Sequence, residues 1–413
     1  MDIEYAQLPN GLRIAHLANE SPVAHCGLFI PVGTRREQAG EAGMAHFIEH
    51  MIFKGTEKRK TYHILSRLED VGGELNAYTT KEETVIHASF LKSDYGRALE
   101  LIADILYKST FPVAEIAKEQ AVIIDEINTY EDTPSELIFE SFEEKLFAGH
   151  ALAHRILGTP DSVRALTRQR IQQFIHRNYA LENMVLVSVG SISMRRFRGY
   201  LERYFEAEFQ WSSLVGGLAE FVHQPIKTHT FHEVEAKAHQ QCHAILGKAG
   251  PGATSNRVTT AILLSNVLGG PMNSRLNMLV REKHGLTYHI ESFYQAYAEV
   301  GVFGVYLGAD AAHLERSIAL VRRVFREMMD RPMGVNQLRK AKKQVLGQLA
   351  INADHNNALM LGIGRSMLLR ERMETWEEIA DRVERITSAD IQEMAEELLQ
   401  LDGISTLVYR PKN

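Results

Sequence analysis

Slid along itself, the chain says the same thing twice. At a shift of 212 residues EDVGGELN (69–76) falls on REKHGLTY (281–288), which aligns Gly73 with Gly285. Both segments follow a helix-like pattern and lead into strand-like runs, TVIHASFL (84–91) and GVFGVYLGA (301–309). At a shift of 220, TRQRIQQF (167–174) meets TSADIQEM (387–394), and MVLVSVG (184–190) falls beside ISTLVYR (404–410). The drift in offset marks insertions. A repeat of this length restricts the chain to two copies of one unit, each reading strands, helix, strands, long helices and a closing strand. That order predicts an α+β fold of two homologous tandem domains, each a mostly antiparallel sheet packed with helices. The expected domains are 1–210 and 226–413, joined by WSSLVGGLAEFVHQP (211–225), a Gly- and Ser-bearing stretch with Pro225 at its end.

Composition narrows the function classes. With 45% hydrophobic and 24% charged residues the chain is of ordinary globular type. No run approaches the roughly 18 apolar residues that span a bilayer. The start, MDIEYAQLPNGLRIAHLANE, carries acidic residues where an export signal needs basic ones, so a cytoplasmic location is expected. Cys26 and Cys242 are too few for a disulfide framework and suit a reducing compartment. A net charge of −6 gives no general reason to expect a nucleic-acid partner.

The first half contains GMAHFIEHMIFKGT (43–56). Met44, Phe47, Ile48, Met51, Ile52 and Phe53 give an apolar, proline-free segment that reads as a helix, with Gly55 placed to cap it. On such a helix His46, Glu49 and His50 share a face at about 5–6 Å, so both imidazoles could reach one ion while the carboxylate holds a water beside it. In a chain with 18 histidines this pair could be accidental, so its neighbours must decide. The repeat places VTTAI (258–262) opposite HFIEH (46–50), so the polar group is present in one copy only and was not demanded by folding. A metal site needs a further protein ligand. Glu119 and Glu126, seven residues apart, share a face of a helix expected over 113–133 and stopped by Pro134; their counterparts in the other half are Lys340 and Gly347.

At this point the chain resembles the pitrilysin, or M16, metallopeptidases, in particular the subfamily of mitochondrial processing peptidase and its compact bacterial relatives. The resemblance rests on His46-x-x-Glu49-His50 with 75 residues before Glu126, on GGELNAYTTKEET (72–84), on GGPMNSRLNMLVREKHGLTY (269–288) and on the two-half organisation. It implies the metallohydrolase fold shared by LuxS and the processing peptidase, and a zinc-dependent endopeptidase, an inverzincin, with one Zn2+ per chain. By that resemblance His46, His50 and Glu126 are the zinc ligands, Glu49 the general base and Glu119 a residue that supports the site without binding the ion. Arg281 and Tyr288 match the family pair whose tyrosine hydroxyl is directed at the scissile carbonyl oxygen, the logic of an oxyanion hole. Asn76, Ala77 and Tyr78 would lie on a strand edge near the metal, where an extended peptide can pair by strand addition.

The family arranges four such domains as a clamshell, with zinc in the first and the Arg/Tyr pair in the fourth. A two-domain chain carrying both sets implies a homodimer in which each chain lends its tyrosine to its partner's zinc around a closed, peptide-sized chamber. The alternative is a non-catalytic assembly or partner subunit of the same fold; such chains usually lose HxxEH or the Arg/Tyr pair, and this one keeps both. Two other histidine groups are set aside. His150 and His154 lack an acidic partner and read as loop residues, while His239, Cys242 and His243 are expected to alternate faces of one strand and so not to converge.

Overall fold

The computed structural model describes residues 2–205 and 226–412, so the expected linker at 211–225 lies outside the described residues. Two compact units emerge, each built on one sheet. The first sheet holds β1 (Ile3–Gln7), β2 (Arg13–Ala18), β3 (Val23–Ile30), β4 (Glu74–Thr79), β5 (Thr84–Leu91) and β6 (Val185–Gly190), in the order β1-β2-β6-β3-β5-β4. The second holds β7 (His232–Lys237), β8 (Cys242–Pro251), β9 (His289–Ala296), β10 (Val300–Ala309) and β11 (Ser405–Pro411), in the order β7-β11-β8-β10-β9. Each sheet is antiparallel except for one parallel pair, β2 with β6 and β11 with β7. Matched strand for strand, the second order is the first without β1. The α+β duplication read from the repeat is therefore the fold.

Both faces of each sheet are covered, which explains strands that are apolar throughout. In β6 all six residues are buried: Leu186 enters the core beneath the helices Met44–Met51 and Tyr95–Lys108, while Val185, Val187 and Val189 point the other way. That opposite face is closed by the helix Asn356–Leu369, whose Leu359, Met360, Ile363 and Met367 pack on Phe29 and the three valines. The fit is close, since a Cβ on Gly364 would collide with the Phe29 ring. In the second unit the corresponding face is closed by the helix Pro134–Leu146, whose Ile138, Phe142 and Leu146 pack with Ile245, Leu407 and Tyr409.

Two helices thus cross the sequence division. Residues 351–374, from the C-terminal half, belong to the first unit, and residues 129–153, from the N-terminal half, belong to the second. An amphipathic helix records in its sequence that one stripe must be buried, not which sheet will bury it.

Candidate metal centre

The HFIEH segment lies on a short helix, Met44–Met51, whose start is held from outside the helix. Gly43 precedes it at φ +84°, and a Cβ there would meet the Leu157 carbonyl oxygen at 2.7 Å. The buried Glu37 carboxylate accepts from the N–H groups of Gly43 (3.1 Å) and Ala45 (2.9 Å), placing acceptors on the free donors of the first turn. Burial pushes the Glu37 carboxyl up to about 8, against the downward pull of those two N–H groups. The helix stops at Met51, earlier than the expected cap. Gly55, at φ +149°, instead bridges to Lys60.

Three donors converge. The rings of His46 and His50 lie 4.6 Å apart, centroid to centroid, and the Glu126 carboxylate Oε2 stands 3.9 Å from His46 Nε2 and 3.7 Å from His50 Nε2. Neighbouring ligands around a tetrahedral zinc at about 2.0–2.2 Å are roughly 3.3 Å apart, so the set is slightly open for such an ion and needs only small movements to close on it. Burial, reinforced by His50, holds His46 down to about 3, which keeps its imidazole neutral and able to offer a lone pair. Among the described residues this is the one group of three such side chains whose ligand atoms all lie within 4.8 Å. The chemistry of the donors, two imidazoles and a carboxylate, suits zinc.

A second layer orients the first. Glu119 is buried on the same helix as Glu126, Val113–Glu131, and its Oε2 accepts from His50 Nδ1 at 3.1 Å. That bond leaves His50 Nε2 as the free ligand atom. The other Glu119 oxygen takes the Lys54 ammonium at 2.7 Å, which offsets its buried charge. Lys54 had no signal in the sequence, where a lysine after a helix reads as solvated.

Glu49 is mostly enclosed. Its Oε2 accepts from the Thr79 hydroxyl at 3.0 Å, and Thr79 lies within 3.4 Å of the Thr84 hydroxyl, which donates to the Val32 carbonyl at 2.8 Å. Burial raises the Glu49 pKa, partly countered by the Thr79 bond and by His50, with the Glu126 carboxylate adding to the rise. No sequence pattern marks this contact, because one threonine facing one glutamate leaves no periodic trace. Thr79→Val should lower the turnover of a base at Glu49 about tenfold or more, the usual scale for a hydrogen bond to a charged group, with Thr79→Ser restoring most of it. Equal rates for Thr79→Val and wild type in a peptide-hydrolysis assay would show that the hydroxyl does not position Glu49.

The remaining expected residues separate by place. Strand β4 pairs only with β5 among the described strands, so its outer edge, carrying Asn76, Ala77 and Tyr78, is unpaired. The Tyr78 ring turns to the face of the helix Asn356–Leu369, where its hydroxyl meets Glu83 at 3.2 Å and Arg365 at 3.3 Å. Ala77 packs on the opposite face, toward the core below the HFIEH helix. Arg281 and Tyr288 belong to the second unit. Arg281 lies on a π-helical turn, Asn277–Lys283, 3.8 Å from the Glu282 carboxylate, and Tyr288 is 76% exposed just before β9. His150 and His154 are engaged separately: His150 Nδ1 accepts from the Leu152 N–H, and His154 Nδ1 lies 3.3 Å from the Thr34 carbonyl oxygen. One expectation fails. His239 lies in the bend before β8 rather than on the strand, so its ring meets that of His243 at 5.3 Å instead of facing away.

Residues 13–160 match the family model described as Insulinase (Peptidase family M16), and residues 165–345 match the one described as Peptidase M16 inactive domain. The chain is 31% identical over 402 residues to an uncharacterised zinc protease of Streptomyces coelicolor, covering 95% of this chain and 86% of that protein. It is 30% identical over 401 residues to the uncharacterised zinc protease YmxG of Bacillus subtilis, covering 97% and 96%. A crystal structure of a protease from Helicobacter pylori superposes with a TM-score of 0.90 at 19% identity, over 99% of this chain and 100% of that one. The relatives at 30% identity over nearly the whole length, together with the two family models, make the chain a member of peptidase family M16.

Proposed function

We propose that the protein is a zinc-dependent endopeptidase acting on peptides or unfolded segments, with one zinc held per chain by His46, His50 and Glu126. The observation that carries this reading is the joint placement of that donor set with the enclosed Glu49 carboxylate and the unpaired edge of β4. When bound, zinc supplies Lewis acidity, polarising a carbonyl and lowering the pKa of water toward roughly 7. Glu49 takes the proton of the attacking water and passes it to the leaving amine. The edge of β4 at Asn76, Ala77 and Tyr78 receives the substrate as an added strand, through main-chain bonds that demand little of its sequence. The zinc-protease names of the relatives support this activity. The buried, unpaired thiols Cys26 and Cys242 suit a cytoplasmic setting, and no helix among the described residues is long and apolar enough to cross a membrane.

The reading extends to assembly. Two copies form a closed peptidasome chamber in which Tyr288, supported by Arg281, serves the zinc site of the partner chain, its hydroxyl stabilising charge on the scissile carbonyl oxygen. The exposure of Tyr288 in its own unit supports such a role. Glu49→Gln chains mixed with Tyr288→Phe chains give heterodimers with one doubly damaged and one intact site. Hydrolysis of a mixed peptide pool should return on subunit exchange, to at most about half the wild-type level by this site count. Heterodimers as inactive as either parent would refute the shared site, and a wild-type protein whose hydrolysis survives a chelator would refute the metallopeptidase reading itself.

A further inference from the structure

The second unit carries another histidine pair at the spacing of the first. His239 and His243 are four residues apart, as His46 and His50 are. Their rings lie 5.3 Å apart at 75°, against 4.6 Å and 62° for His46 and His50. A helical turn brings the first pair together, whereas a bend leading into β8 brings the second together.

The supporting bonds also correspond. His50 is oriented through Nδ1 by Glu119, and His243 through Nδ1 by the Tyr306 hydroxyl at 2.9 Å. With Nδ1–H given to the Tyr306 oxygen, His243 Nε2 keeps its lone pair. His239 is bare: both its ring nitrogens are buried and neither makes a hydrogen bond. Buried polar atoms are ordinarily satisfied, and such an orphan calls for an occupant.

The surroundings admit a cation. His243 and His289 both stand opposite Gly308, one on each side, and the missing side chain leaves the gap between them to the Tyr306 hydroxyl. The His289 side chain is 60% exposed, with Glu291 3.5 Å from its Nε2. The nearby ammonium of Lys237, over the Tyr409 ring, is paired with Glu235 at 3.1 Å.

We propose that His239 and His243 form a second metal site, for a divalent transition-metal cation that favours imidazole, with His289 turning in from the rim as a further ligand. Copper(II) should bind more tightly than zinc or nickel, following the general affinity order for nitrogen ligands. The site involves none of the residues of the first centre and does not rest on the peptidase reading.

The test uses the full chain carrying His50→Ala, which removes the first centre. Titrated with copper(II) and followed by electron paramagnetic resonance, this protein should bind one ion per chain with nitrogen hyperfine structure. Adding His239→Ala should abolish that signal without changing the thermal midpoint of the metal-free protein, since His239 lies in a bend and its ring makes no hydrogen bond, while the backbone N–H that it gives to the Lys237 carbonyl is kept by alanine. Tyr306→Phe, which keeps the ring, should weaken binding roughly 10–100-fold, as loss of an orienting bond to a ligand does. Failure of the His50→Ala chain to bind a stoichiometric ion, or survival of the same signal after His239→Ala, would overturn the proposal.

Discussion

Replacing Glu49 by Gln should cut peptide hydrolysis about 10²–10⁴-fold, the scale of a lost general base, while the protein keeps its zinc and its fold. The amide has the shape of the carboxylate and can still receive the Thr79 hydroxyl, which now reaches Glu49 Oε2 at 3.0 Å. It cannot take a proton from water. Because Glu49 is not among the three converging donors, metal content should be unchanged. A Glu49→Gln protein with wild-type turnover and one zinc per chain would exclude the proposed base. One that also loses zinc would show that Glu49 has a ligand role which the geometry does not assign to it.

The second large effect is on the metal itself. His50→Ala should abolish stoichiometric zinc, measured by elemental analysis after dialysis against trace metal. It deletes a donor 3.7 Å from the Glu126 oxygen and strands Glu119, whose Oε2 loses its partner. His150→Ala is the matched control. His150 is equally a histidine in an HxxxH string, but its Nδ1 is taken by a backbone N–H, so zinc should stay. Equal loss in both variants would mean that the ligand set is wrong.

Where the sequence was informative, a pattern spanned many residues. The repeat was legible because equivalent strands, β5 with β10 and β6 with β11, keep their apolar runs. The HFIEH helix showed in the three-four spacing of its polar face, and Glu119 in its distance of seven from Glu126. Features made by one residue meeting another across the fold were not legible. Glu37 caps a helix from six residues before Gly43, too far for a local capping motif, while Lys54 and Thr79 act by single contacts. His239 was misplaced for a different reason. Strand faces alternate at every residue, so the start of β8 at Cys242, rather than before His239, changes which side chains can meet.

The crossing helices set an order of synthesis. On a ribosome the first sheet is complete in sequence once β6 has emerged at Gly190, yet the helix that closes its face begins at Asn356. At roughly 5–20 residues per second, the intervening stretch takes about 10–30 s to make. Throughout that time Phe29, Val185, Val187 and Val189 have no native cover, so this face of the sheet stays exposed until the second half of the chain has been made. The second unit has the reverse timing. Its covering helix, Pro134–Leu146, is made before any strand of its sheet, so that sheet can be closed as soon as β11 has been made.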